Sequence, residues 1–142
     1  MSAEADEEIV RSAVLSAFEV GRSKDFGKLA RLHADDVRFS KFSDTAPYSR
    51  QTAREASMYE EMAFANISDF KFSIENLKID FFGDVAIATF IVEYRGILVD
   101  DYTFTGRTLN WKSRATMVFQ KRRDAWLIIH EHLSKMPEQR EG

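Results

Sequence analysis

Two of the chain's three histidines stand one residue apart in the stretch Ala-Trp-Leu-Ile-Ile-His-Glu-His-Leu-Ser, residues 125–134. Alternate side chains of a β-strand share a face, so His130 and His132 would stand together and Glu131 would point the other way. Paired imidazoles are suited to metal ligation or to acid–base work. A metal centre needs a third and usually a fourth ligand, and His33, Glu93 and Asp101 are the residues whose types could complete one. A His-x-His pair without a further spaced ligand signature does not define such a centre, and no metal site is assigned. Glu131 offers different chemistry. It shares its face with Leu127, Ile129 and Leu133, and burial there would disfavour its charged form. That would raise its pKa toward the range of a general acid or base. A salt bridge at the rim of the fold, with Arg31 or Arg38, explains the same residue without catalysis. Tyr94 and Tyr59 carry phenols able to donate to a substrate carbonyl, or they are tyrosines that have each found one structural partner.

These residues need a scaffold, and the hydrophobic period supplies its outline. Apolar residues from Ile9 to Phe18 recur at helical spacing, predicting a helix over residues 6–20 that stops at Gly21. Phe26, Leu29, Ala30 and His33 predict a short second helix, capped by Ser23 or Asp25 and ended by Asp35-Asp36. A short strand follows over residues 37–42, then a loop through Pro47. Ala53, Ala56, Tyr59, Met62, Ala63 and Ile67 predict a third helix, whose Glu60 and Glu61 would lie in solvent. Beyond Ser68 the period becomes two. Phe70, Phe72 and Ile74 are even-numbered whereas Leu77, Ile79 and Phe81 are odd-numbered, so a bulge near Glu75-Asn76 is required to keep all six on one side. Long strands are predicted over 85–99, 103–121 and 126–134, with turns at residues 82–84, 100–101 and 122–125. Helices followed by long antiparallel strands define an α+β fold. The expectation is one domain, residues 1–142, in which three N-terminal helices pack on a strongly bent antiparallel or mixed sheet, a half-cone holding an apolar pocket.

Composition narrows the function. The 142 residues include 12 Phe and 2 Trp, carry a net charge of −3 and contain no cysteine. Disulfides, thiol nucleophiles and thiolate metal sites are thereby excluded. The acidic balance argues against nucleic acid and acidic membranes as partners. No apolar run is long enough to span a bilayer, and the acidic start MSAEADEEIV does not resemble a secretory signal, so a cytoplasmic protein is expected. The scattered glycines form neither a dinucleotide nor a nucleotide loop, and no cofactor is expected.

The stretches KDFGKLARLHADDVRF (24–39) and RATMVFQKRRDAWLIIHEHLS (114–134) resemble the second helix with first strand, and the last hairpin, of the nuclear transport factor 2-like superfamily. Within it the chain is similar to the SnoaL-like proteins. The W…H-x-H-x-S ending is also similar to that of the calcium/calmodulin-dependent kinase II association domain. The resemblance implies the cystatin-like half-cone, a ligand class of small hydrophobic or polyketide-like molecules, and a homodimer through the outer face of the sheet. The activities it implies are cofactor-independent isomerase, cyclase or dehydratase chemistry, or a non-catalytic ligand-binding or assembly module. Several family residues are replaced here. The general-base position of ketosteroid isomerase matches Lys41, and the pocket arginines of the kinase domain match Val92, Met117 and Leu133. The register of that last position implies that Glu131 faces the pocket and the two histidines face outward, near Arg114, Thr116 and Glu93. The expected catalytic groups are then Glu131, Tyr94 and Tyr59. The expected lining is Trp111, Met117, Phe119, Phe90, Val92, Leu127, Ile129 and Leu133.

Overall fold

A computed structural model describes residues 3–99 and 105–137. The elements run α1 (Ala3–Ser23), α2 (Phe26–Arg31), β1 (Ser40–Phe42), α3 (Ala53–Ala65), β2 (Ile67–Phe82), β3 (Val85–Val99), β4 (Gly106–Arg122) and β5 (Ala125–Lys135). The five strands form one mixed sheet in the order β1-β5-β4-β3-β2. Strands β2 to β5 are an antiparallel meander, and β1 adds to the far edge parallel to β5. The turn expected at Asp100-Asp101 lies outside the described residues.

Helix α1 buries Val10, Ala13, Val14, Ala17 and Phe18 against the concave side of the sheet, where the Phe18 ring lies 6.0 Å from Phe72 and 5.9 Å from Phe90. Gly21 does not stop the helix, which runs on to Ser23 before Lys24 turns it at φ 60°. What Gly21 provides is clearance, because a Cβ there would lie 2.4 Å from the ring of Phe70. Asp25 caps α2 by accepting from the Lys28 amide at 3.0 Å. Thr52 and Glu55 form a capping box that starts α3. Ala56 is the one buried residue of α3, so burial alone holds this helix weakly. Its far end is held by Lys24, whose ammonium donates to the carbonyls of Phe64 and, at 2.6 Å, Ile67.

Irregularities bend the sheet. The β2–β3 register shifts between Glu75 and Lys78, with Asn76 at φ 55°, which keeps Phe72, Ile74, Leu77, Ile79 and Phe81 packed on one core. A shift in β4–β5 was not expected from the sequence: Val118 pairs with His130 but Phe119 pairs with Ile128, leaving Ile129 as an extra residue. The alternation therefore changes phase inside β5. Trp126 and Ile128 are buried before the bulge, and Glu131 and Leu133 after it. This corrects the strict period-two reading, which put Trp126 and Ile128 outside with the histidines and Leu127 and Ile129 inside with Glu131. Leu127 and Ile129 are only half-buried and do not join the core.

Candidate functional site

The site is assembled at the sheet edge where three chain segments meet β5. The backbone of residues 32–34 clasps Ile128: the Ile128 amide donates to the Leu32 carbonyl at 2.8 Å and the Ala34 amide to the Ile128 carbonyl at 2.9 Å. That clasp carries His33 to the sheet. Immediately beyond it β1 takes over the edge, with Lys41 in register beside Glu131. Helix α3 crosses above and contributes Glu60.

Four ionisable side chains close on one another there. Lys41 Nζ donates to Glu60 Oε1 at 2.6 Å and stands 3.4 Å from Glu131 Oε2. His33 Nε2 contacts Glu131 Oε1 and lies 4.0 Å from Glu60 Oε1, while its Nδ1 donates to the Leu29 carbonyl at 2.8 Å. Glu131 is 4% exposed and Lys41 7%. Burial alone would raise the Glu131 pKa, but the charges and hydrogen bonds of Lys41 and His33 outweigh it and bring the pKa down to about 2. Burial likewise would lower the His33 pKa, yet Glu131 and, less strongly, Glu60 lift it to about 9. Lys41 is held charged against its burial by the same two carboxylates. The expectation that burial would tune Glu131 toward neutrality is thus corrected, because its burial comes with two cations. Its partners are Lys41 and His33 rather than Arg31 or Arg38. Glu60 is also corrected: its side chain is 10% exposed and joins this network instead of being solvated, whereas Glu61 is exposed.

His33, Glu60 and Glu131 offer ligand atoms within 4.8 Å of one another, a grouping that in other settings could hold a metal ion. Here the cation bridging the two carboxylates is Lys41. The four groups form one charge-paired, hydrogen-bonded network.

A cavity of about 300 Å³ lies between the helices and the concave sheet, and Lys41, Glu60 and Glu131 close one end of it. Phe64, Leu109, Met117 and Leu133 provide apolar walls. Asp44, from the loop after β1, marks a second polar end. Its Oδ2 accepts from the Tyr94 hydroxyl at 3.0 Å, from Trp111 Nε1 at 2.9 Å and from the hydroxyl of fully buried Ser113. Burial, with the Asp44 charge and hydrogen bond, pushes the Tyr94 phenol pKa up, so the phenol stays protonated as a donor.

Of the residues singled out from sequence, Glu131, Tyr94, Tyr59, Trp111, Met117 and Leu133 line this cavity. Phe90, Val92 and Phe119 do not: they are buried in the core, in which Phe18 of α1 packs on Phe90. Leu127 and Ile129 are displaced from it by the β5 bulge. His130 and His132 point to the convex face, where both rings pack on Phe42, 6.4 and 5.7 Å away, and His130 Nδ1 contacts Ser40 Oγ at 2.8 Å. Glu93 stands two strands away and pairs with Arg95 at 2.7 Å, so it cannot join the histidines; Asp101 lies outside the described residues. Lys121 and Arg122 pair with Asp6 at 3.5 Å and Asp36 at 2.6 Å.

Asp44, Lys41 and Glu60 line the cavity without having been assigned to it from the sequence, and His33 joins its end through Glu131. One signal was present for Asp44: it is the sole carboxylate of the loop 43–50. Lys41 and Glu60 needed the tertiary fold, since a charged residue on an edge strand and one on a weakly amphipathic helix both read as solvated.

A bent five-stranded sheet packed on helices, with a polar-ended cavity between them, is the architecture of a small α+β half-cone domain. The SnoaL-like domain family matches residues 10–139, and the chain belongs to that family. Among solved structures, the chain is similar to a protein from Streptomyces avermitilis described as a candidate dehydratase of the NTF2-like family, at 21% identity over 96% of this chain and 100% of the other, TM-score 0.80. It is also similar to a nuclear transport factor 2-like superfamily protein from Salmonella enterica, at 15% identity over 99% and 98%, TM-score 0.81. The association domain of C. elegans CaMKII matches at 18% identity over 92% and 96%, TM-score 0.69. At these identities the likeness concerns the fold. No curated protein sequence matches the chain. No helix among the described residues is long and apolar enough to cross a membrane.

Proposed function

We propose that the chain binds a small, largely apolar organic molecule in the cavity between helices and sheet, and acts on it by proton transfer without a cofactor, as an isomerase, cyclase or dehydratase. The observation that carries this reading is the cavity itself: apolar walls interrupted by proton-bearing groups. In this proposal Tyr59 on α3 donates to an oxygen of the substrate that gains charge, and Tyr94, whose one proton is held by Asp44, donates there only once that bond is broken. Glu131 is an ionised carboxylate at the opposite end. With a pKa near 2 it is a weak base, so it serves as an acceptor for acidic protons only, or as the group that orients Lys41 and His33. NMR titration with a cyclic enone tests the cavity: shifts should concentrate on Met117, Leu133 and Trp111, and shifts confined to other surfaces would refute the reading. Given a substrate, unchanged turnover in Glu131→Gln would remove that residue from the chemistry.

A second reading, an assembly module of the same fold, is favoured by the convex sheet face. Ile87 and Val118 pair across β3 and β4, and together with Ile91, Leu127 and Ile129 they leave partly exposed aliphatic side chains outside the core. We propose a homodimer through this face. Val118→Glu should convert a dimer to a monomer in analytical ultracentrifugation, and a wild-type monomer at high concentration would dispose of the idea.

A further inference from the structure

We propose that the ligand of the cavity carries a protonated amine and that Asp44 is its counter-ion. The inference rests on the cavity being a ligand pocket. Three carboxylates line it, Glu60, Glu131 and Asp44. The first two are each matched by Lys41. Asp44 is different: among the described residues no cation lies within ion-pair distance of it, and its hydrogen bonds come from neutral donors on β3 and β4. All three converge on Oδ2. Oδ1 has only a 3.5 Å contact from the Ser43 hydroxyl, too long to satisfy it. The carboxylate is therefore held rigidly by one oxygen and presents the other without a partner, with its negative charge uncompensated. Asp44 is half-buried at the cavity wall, and a cationic ligand would supply the counter-charge that the protein's own residues do not.

The walls beside Asp44 favour the same class. Tyr94 and Trp111 pair across β3 and β4 with their rings 6.4 Å apart and 11° from parallel. Aromatic faces attract ammonium groups, and Trp111 already holds one, with Lys135 Nζ 3.8 Å from its centroid. Arg107 also lines the cavity, but its exposed side chain makes no ion pair with Asp44. An organic anion would meet the Asp44 charge directly, and a neutral molecule would leave it unmatched. The apolar walls then accept the body of the amine.

The test is calorimetric titration of the intact protein at neutral pH and low salt with three probes of one shape: 2-phenylethylammonium, 2-phenylethanol and 3-phenylpropionate. The ammonium should bind about tenfold or more tighter than the alcohol, and the carboxylate weakest. Asp44→Asn should abolish the preference for the ammonium while leaving the alcohol's affinity within about twofold; circular dichroism establishes that the variant is folded, and the ranking on the wild type stands independently of it. Equal affinities, a reversed order, or a preference that survives in Asp44→Asn would overturn the amine assignment while leaving the ligand pocket intact. Failure of all three probes to bind would remove the pocket reading and the amine with it.

Discussion

At one end of the cavity two carboxylates, Glu60 and Glu131, meet two cations, Lys41 and His33; at the other, one carboxylate, Asp44, meets three neutral donors. The first end is electrically complete. Each of its charges is buried beside an opposite one, and the four side chains come from α2's end, β1, α3 and β5, so the network ties a weakly buried helix to the sheet edge. The second end is geometrically complete but electrically open. The difference teaches that two acidic sites in one cavity can be built differently: one is balanced by the protein's own cations, and the other is held by neutral donors.

Breaking the balanced end should cost the most. Lys41→Met leaves two buried carboxylates with one imidazolium between them, and should lose ~3–5 kcal/mol in urea unfolding. The pH profile gives a second handle. The folded His33 pKa is raised from 6.5 to about 9, so its contribution is full below pH 6.5 and is lost as pH rises through 9. Urea midpoints should fall over that window, and the fall should flatten in His33→Gln. On the acid side the contribution of Glu131, with its pKa lowered from 4.5 to about 2, is full above pH 4.5 and lost as pH falls toward 2. At the open end Asp44→Asn should cost ~1–2 kcal/mol, since the amide oxygen still accepts from the same donors. Tyr59→Phe, between the two ends, should stay within ~0.5 kcal/mol of wild type. Any turnover it loses would then be chemical rather than structural.

The sequence made the helices, the strand lengths and the Glu75–Asn76 bulge legible because polar residues interrupt the apolar ones and so mark the phase. The β5 bulge was hidden for the opposite reason: Trp126 to Ile129 is uniformly apolar, and nothing in the run shows where the alternation slips. The inward direction of Glu131 was readable by family resemblance, but its ionisation was not. That depends on His33 and Lys41, residues 98 and 90 positions away in the chain, which converge on it only through the edge pairing of residues 32–42 with β5. Asp44 lies in a loop, where no periodicity announces the direction of a side chain.

The central claim is that Glu131 is a permanently ionised member of a balanced network. Following the Glu131 carboxyl carbon and the His33 ring by NMR from acid to alkaline pH tests it directly. The account predicts that His33 titrates near pH 9 and that Glu131 stays ionised well below pH 4.5. A Glu131 midpoint above 6, with His33 neutral at pH 7, would contradict it.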